Sequence, residues 1–114
     1  MIYRVKITPT ALADAEGFYL WIGEYSKENA AKWFNGLFNV VETLTSMPQR
    51  CPIAPETELV GQDIRCLFYR KNYRILYTVE GEAVTIYHIR HTSQSVMTRE
   101  EFLREPYREE ILPE

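Results

Sequence analysis

Residues 2 to 7 alternate, with Tyr3, Val5 and Ile7 set against Ile2, Arg4 and Lys6, which is the period-two pattern of a half-buried strand. Thr8-Pro9 closes the strand and opens a helix, because a threonine hydroxyl can accept from an orphan amide and proline is already shaped for the first helical turn. Leu12, Ala15, Tyr19 and Ile22 then recur at steps of three or four, with Phe18, Trp21 and Tyr25 beside them, so the stripe is wide and aromatic. Gly23 weakens its last turn. Ser26 caps a second helix from Lys27. Its stripe of Ala30, Phe34, Leu37, Val41 and Leu44, broadened by Trp33, Val40 and Met47, predicts about five turns before Pro48 stops it.

Two amphipathic helices with almost no linker fold back as an antiparallel hairpin, and their joint partner is a sheet. Residues 48–61 hold three prolines and no periodicity, and read as an ordered loop. The runs 64–69, 73–79 and 84–91 are rich in β-formers and are separated by Arg70-Lys71-Asn72 and Glu80-Gly81-Glu82, so they form a three-strand meander. Thr98-Arg99-Glu100-Glu101 is a capping box ahead of Phe102 and Leu103, and Pro106 limits that helix to about two turns. The predicted fold is α+β, in the order β-α-α-β-β-β. An N-terminal helical hairpin packs on one face of a small twisted antiparallel-rich sheet, the other face stays partly open, and a short C-terminal helix follows. Residues 1–98 make one domain, with 99–114 an acidic tail belonging to it. Alternation puts Tyr73, Ile75, Tyr77 and Val79 on one side of the middle strand and Arg74 on the other. On the last strand the two parities are equally apolar, and neither is selected.

At 114 residues with 46% hydrophobic and 25% charged side chains, the chain has the composition of one globular domain, and no apolar run approaches a membrane span. The start lacks the features of a signal peptide, and two cysteines, Cys51 and Cys66, are too few for a disulfide scaffold or a zinc site. A cytoplasmic protein with reduced thiols, no metal, no cofactor and no membrane partner is expected. The net charge of −3 argues against nucleic acid, but residues 65–98 hold five basic side chains and two acidic ones, and carry both histidines, His88 and His91. Such a segment suits either an anion-binding face or ordinary solvated strands.

Walker, dinucleotide, HExxH and nucleophile-elbow motifs are missing. Asp14 and Glu16 do not share a helix face, and Glu80 and Glu82 bracket a turn, so no carboxylate pair stands out. Cys66, within an apolar run, reads as core rather than nucleophile. What remains is Arg65, Arg74 and Arg90 on three successive strands. They either converge on a phosphate-binding patch or sit as solvated positions. Trp21, Trp33 and Phe38 exceed what one small sheet covers, which marks some of them as anchors for a partner.

The ordered set Ile7-Thr8-Pro9-Thr10-Ala11-Leu12-Ala13-Asp14, Met47-Pro48, Arg65-Cys66-Leu67, Tyr73-Arg74-Ile75-Leu76-Tyr77 and Ile89-Arg90-His91 resembles the RelE/ParE toxin family of type II toxin-antitoxin systems, over residues 1–94. The resemblance implies a growth-inhibiting toxin neutralised by a cognate antitoxin. It acts either as a ParE-like poison of DNA gyrase or as a RelE-like ribosome-dependent messenger-RNA endonuclease; a third form keeps the fold as an inactive protein-binding module. For the ribonuclease, Arg74, Arg90 and His91 are the catalytic candidates, with Arg65, Arg70 and Lys71 contacting nucleic acid or target. Carry-over falters at Arg90-His91-Thr92-Ser93-Gln94, where His91 is either a base or a structural residue. The long hairpin and acidic net charge favour the ParE-like branch.

Overall fold

The computed structural model describes residues 2–103. Strand β1 (Arg4–Ile7) runs into helix α1 (Pro9–Gly23), and the link is Thr8, whose Oγ1 accepts from Ala11 N–H at 3.1 Å and donates to the Ile86 carbonyl at 2.9 Å. One side chain thus caps the helix and moors it to the far end of the chain. Helix α2 (Lys27–Glu42) starts at Ser26, whose Oγ accepts from Asn29 N–H.

The second helix is shorter than its stripe predicts. After Glu42 the chain tightens into a 3₁₀ turn, Thr43–Thr45, and Met47 adopts a left-handed φ of 49° with its side chain 70% exposed. Arg50 is the physical reason: its Nη1 donates to the carbonyls of Thr43, Ser46 and Met47, satisfying the orphan acceptors of the helix end before Pro48 is reached. The proline loop is ordered, with a 3₁₀ turn at Pro48–Arg50 and a one-turn helix, α3 (Thr57–Val60).

Strands β2 (Arg65–Tyr69), β3 (Tyr73–Glu80) and β4 (Ala83–His91) form the expected meander, and β1 adds to it in parallel beside β4, giving the order β1-β4-β3-β2. Between β3 and β4 the register slips: Tyr77 opposes Ile86 while Leu76 opposes His88, leaving Tyr87 as an extra residue. This bulge reverses the alternation within β4. Val84 and Ile86 face the hairpin before it, Ile89 and His91 after it, which is why neither parity of that strand is apolar throughout.

The hairpin and the inner sheet face enclose the main core, in which Phe18, Trp33 and Tyr73 meet edge to face at 5.0–5.9 Å. Trp33 is therefore core and not a partner anchor, and Phe38 is half-buried against Phe34. The outer sheet face is closed in part by a second cluster, where Met97 and Phe102 lie on Ile64, Cys66 and Leu76. Phe102 belongs to α4 (Arg99–Leu103), and the predicted capping box is formed there, with Thr98 N–H donating to Glu101 Oε1 and Glu101 N–H to Thr98 Oγ1. Pro106 and the rest of the acidic tail fall outside the described residues.

Tyr69 Oη donates to the Trp33 carbonyl at 2.8 Å, directly beneath Gly36, where an added Cβ would overlap that oxygen. Gly36→Ala is expected to destabilise the protein by about 1–3 kcal/mol, despite alanine's better helix propensity. Thermal melts of a double-mutant cycle check the cause: placed in a Tyr69→Phe background, the same substitution should lose most of its effect.

Candidate functional site

The six basic and histidine candidates do not gather in one place. Arg65 opposes Tyr77, so it lies on the hairpin face, where its Nη1 donates to the carbonyls of Gln49 (3.0 Å) and Cys51 (2.7 Å) and staples the proline loop. Arg70 and Lys71 form the β2–β3 turn with left-handed φ of 52° and 65°; both are exposed, and the Arg70 guanidinium sits over the Tyr69 ring. Only Arg74 and Arg90, directly opposite each other on β3 and β4, share the outer face. The three-arginine patch is thus corrected to a pair, because strand alternation turns Arg65 to the other side.

Neither member of that pair is idle. Arg74 is held as a two-pronged fork by Glu56, with Nη2 to Oε1 at 2.7 Å and Nη1 to Oε2 at 3.1 Å. The Glu56 side chain is 0% exposed and that of Arg74 is 11% exposed. Glu56 Oε2 also accepts from Met97 N–H at 3.2 Å, so one carboxylate joins the proline loop, the middle strand and the C-terminal segment. Burial pushes the Glu56 carboxyl up, but the Arg74 hydrogen bonds, the Met97 amide and the Arg74 charge outweigh it and hold the group below the usual carboxylate range. The acid that holds Arg74 thus comes from the proline loop. Arg90 turns its Nη2 onto the Ser95 carbonyl at 2.5 Å, and its Nε is buried without a hydrogen-bond partner. Beside Arg74, a cleft of about 240 Å³ is walled by Pro52, Pro55, Cys66, Phe68 and Val96. Burial pushes the Cys66 thiol up, which suits a core position rather than a nucleophile.

His91 lies on the opposite face from Arg90, edge-on to Tyr73 at 5.1 Å and to Trp21 at 6.5 Å. Its Nδ1 accepts from Ser93 N–H at 3.0 Å. His91 Nδ1 also lies 2.8 Å from Ser93 Oγ, so that nitrogen is engaged within its own turn.

Sequence reasoning missed two acids. Glu56 follows Pro55 in a stretch without periodicity, and nothing local marks it as buried. Asp14 takes over where β1 ends: its Oδ2 accepts from Ile89 N–H at 3.0 Å, capping the open edge of β4, and lies 3.6 Å from Nδ1 of buried His88. His88 Nε2 in turn donates to the Phe102 carbonyl at 2.8 Å. Between α1 and the end of β4 a cleft of about 500 Å³ is lined by Asp14, Gly17, Phe18, Trp21, Arg90 and His91, among others. Among the described residues no cluster of three or more His, Cys, Asp or Glu side chains is placed to hold a metal ion, and no helix is long and apolar enough to cross a membrane.

A helical hairpin on a four-stranded sheet is an architecture shared with solved toxin-antitoxin structures. One is the chromosomal ParDE system from P. aeruginosa (TM-score 0.64, 22% identity, covering 79% of this chain and 96% of that one). Another is the RelBE2 toxin-antitoxin complex from Mycobacterium tuberculosis (TM-score 0.57, 22% identity, 82% and 95%). The family described as the ParE toxin of the type II toxin-antitoxin system parDE matches residues 5–96. The chain belongs to the ParE/RelE toxin family: it is a toxin of a ParE/RelE-like type II system, and its partner is a cognate antitoxin. No curated protein gives a significant match to the sequence.

Removing one side of a buried ion pair strands the other, so Arg74→Ala is expected to cost about 3–5 kcal/mol of stability and to lower the melting temperature well below wild type. Because the folded Glu56 carboxyl is held below its unfolded value, the stability it contributes is complete above about pH 4.3 and is lost as the pH falls through the lower folded value. Denaturation followed from neutral to acid pH should therefore weaken over that lower window, and Glu56→Gln should flatten the dependence there.

Proposed function

We propose that this toxin acts as a ParE-like poison of DNA gyrase. The observation that carries the reading is the commitment of both outer-face guanidinium groups to acceptors within the protein, Glu56 for Arg74 and the Ser95 carbonyl for Arg90. A ribonuclease of this fold needs cations free to hold the scissile phosphate and to offset charge as the 2′-oxygen attacks. It also needs a positioned base, and the His91 Nδ1 is taken up by Ser93 of its own turn. The family match to the ParE description and the acidic net charge of −3 weigh on the same side.

The ribonuclease reading keeps one observation in its favour, that Arg90 and His91 stand together at the end of the last strand beside an open cleft. Induction without the antitoxin, with DNA and RNA read separately, discriminates between the two. Gyrase-linked DNA breaks with intact messenger RNA are the expected result; rapid messenger cleavage at the ribosome without DNA damage would reverse the ranking. Loss of neither, with normal growth, would make the chain an inactive binding module.

The antitoxin is assigned to the outer side of the hairpin. Leu12, Tyr19 and Leu20 are exposed there, and Tyr19, Leu20, Gly23 and Glu24 form a groove with Lys27 and Ala30 of α2. Such a groove suits the apolar face of an amphipathic helix. Hydrogen exchange of the co-purified complex should show α1 and the start of α2 slowed relative to the free toxin; unchanged exchange across both would sink the assignment.

A further inference from the structure

Helix α1 presents two different surfaces. Its outer side carries Leu12, Tyr19 and Leu20 with Glu16 among them, whereas Asp14, Gly17, Phe18 and Trp21, at helical spacings of three or four, all line the cleft against the end of β4. Gly17 is the gap in that wall. It is exposed and an added Cβ there would meet nothing within 4 Å, so the glycine is required neither by packing nor by a left-handed φ. What its missing side chain creates is room between a carboxylate and an indole.

Asp14 Oδ2 is engaged by Ile89 N–H and His88, while Oδ1 has no hydrogen-bond partner among the described residues, and the side chain is 30% exposed. Trp21 is 49% exposed and forms the aromatic side of the opening. Arg90 also lines the cleft, but its Nη2 is turned back on Ser95. Asp14 and Glu16 are the charged residues of α1, which carries no lysine or arginine. An open carboxylate oxygen and an aromatic face at the rim together match a lysine or arginine side chain, which pairs with the first and stacks on the second.

We propose that the α1–β4 cleft is the receptor for one basic side chain of the toxin's target enzyme. This rests on the reading of the target as DNA gyrase. An enzyme that grips DNA lines its track with lysine and arginine to neutralise phosphates. A toxin surface built around Asp14 and Trp21 competes for such a side chain, and engaging it takes a DNA contact away from the target. The cognate antitoxin is the other possible source of a basic side chain; the apolar groove on the far side of α1 accounts for its docking without this cleft.

Two variants test the proposal. Asp14→Asn keeps an amide oxygen for Ile89 N–H and removes the charge, while Gly17→Gln fills the gap and improves helix propensity. Each is to be assayed for melting, for co-purification with the antitoxin, and for inhibition of supercoiling and trapping of cleaved DNA by purified gyrase. Both variants should melt with wild type and retain the antitoxin, yet lose gyrase inhibition by about 10- to 100-fold, the range of a lost charge-assisted hydrogen bond. If Asp14→Asn melts low because His88 has lost its neighbour, Gly17→Gln decides alone. Folded variants that poison gyrase as wild type does would overturn the cleft assignment while leaving the gyrase reading standing. Variants that lose the antitoxin but still inhibit gyrase would reassign the cleft to the antitoxin. A wild-type toxin with no effect on gyrase would overturn both.

Discussion

One carboxylate organises the far side of this protein. Taking Glu56 out of water costs several kcal/mol, which is offset only because the two Arg74 bonds and the Met97 amide meet it in good geometry. That requirement fixes three segments at once. The proline loop must return across β2 to deliver Glu56, β3 must keep its register to aim Arg74, and the chain after β4 must double back to bring Met97 over the sheet. An apolar triad could fill the same volume, but it would accept many small displacements, whereas a fork of two directed bonds accepts few.

The same constraint separates what was legible in the sequence from what was not. The hairpin, the meander, the Thr8 and Ser26 caps and the Thr98–Glu101 capping box rest on local rules of spacing and side-chain reach, and each is present where those rules put it. The failures are all non-local. The shortened α2 depends on Arg50 reaching back to three carbonyls, and the changed facing of β4 depends on a bulge at Tyr87 that only the pairing with β3 defines. Glu56 carries no mark of burial in its neighbours Pro55 and Thr57. The basic strand positions were visible as residues, but the acids that answer Arg74 and His88, Glu56 on the proline loop and Asp14 on the first helix, were not.

A division of labour between surfaces follows. The inner sheet face is spent on the aromatic core and the outer face on the Glu56 fork with its small apolar cluster, so the sheet itself presents little free chemistry. What is left open belongs to α1. Its outer groove and the cleft holding Asp14 and Trp21 lie on different sides, so two partners of different character can approach one helix, and a partner wrapped over the first still hinders access to the second by bulk alone.

The parallel pairing of β1 with β4 also sets a timetable. Arg4 bonds alongside Ala83 and Ile7 alongside Ile86, so the first strand to leave the ribosome has no neighbour until nearly the whole domain has been made. At about 5–20 residues per second, that wait lasts on the order of 4–16 s. Throughout it the hairpin can form but has no sheet to bury its aromatic stripe, and Thr8 has no carbonyl to moor the helix start. A growth-inhibiting protein built this way is unfinished while it is being synthesised, which gives a partner already present in the cell first access to it.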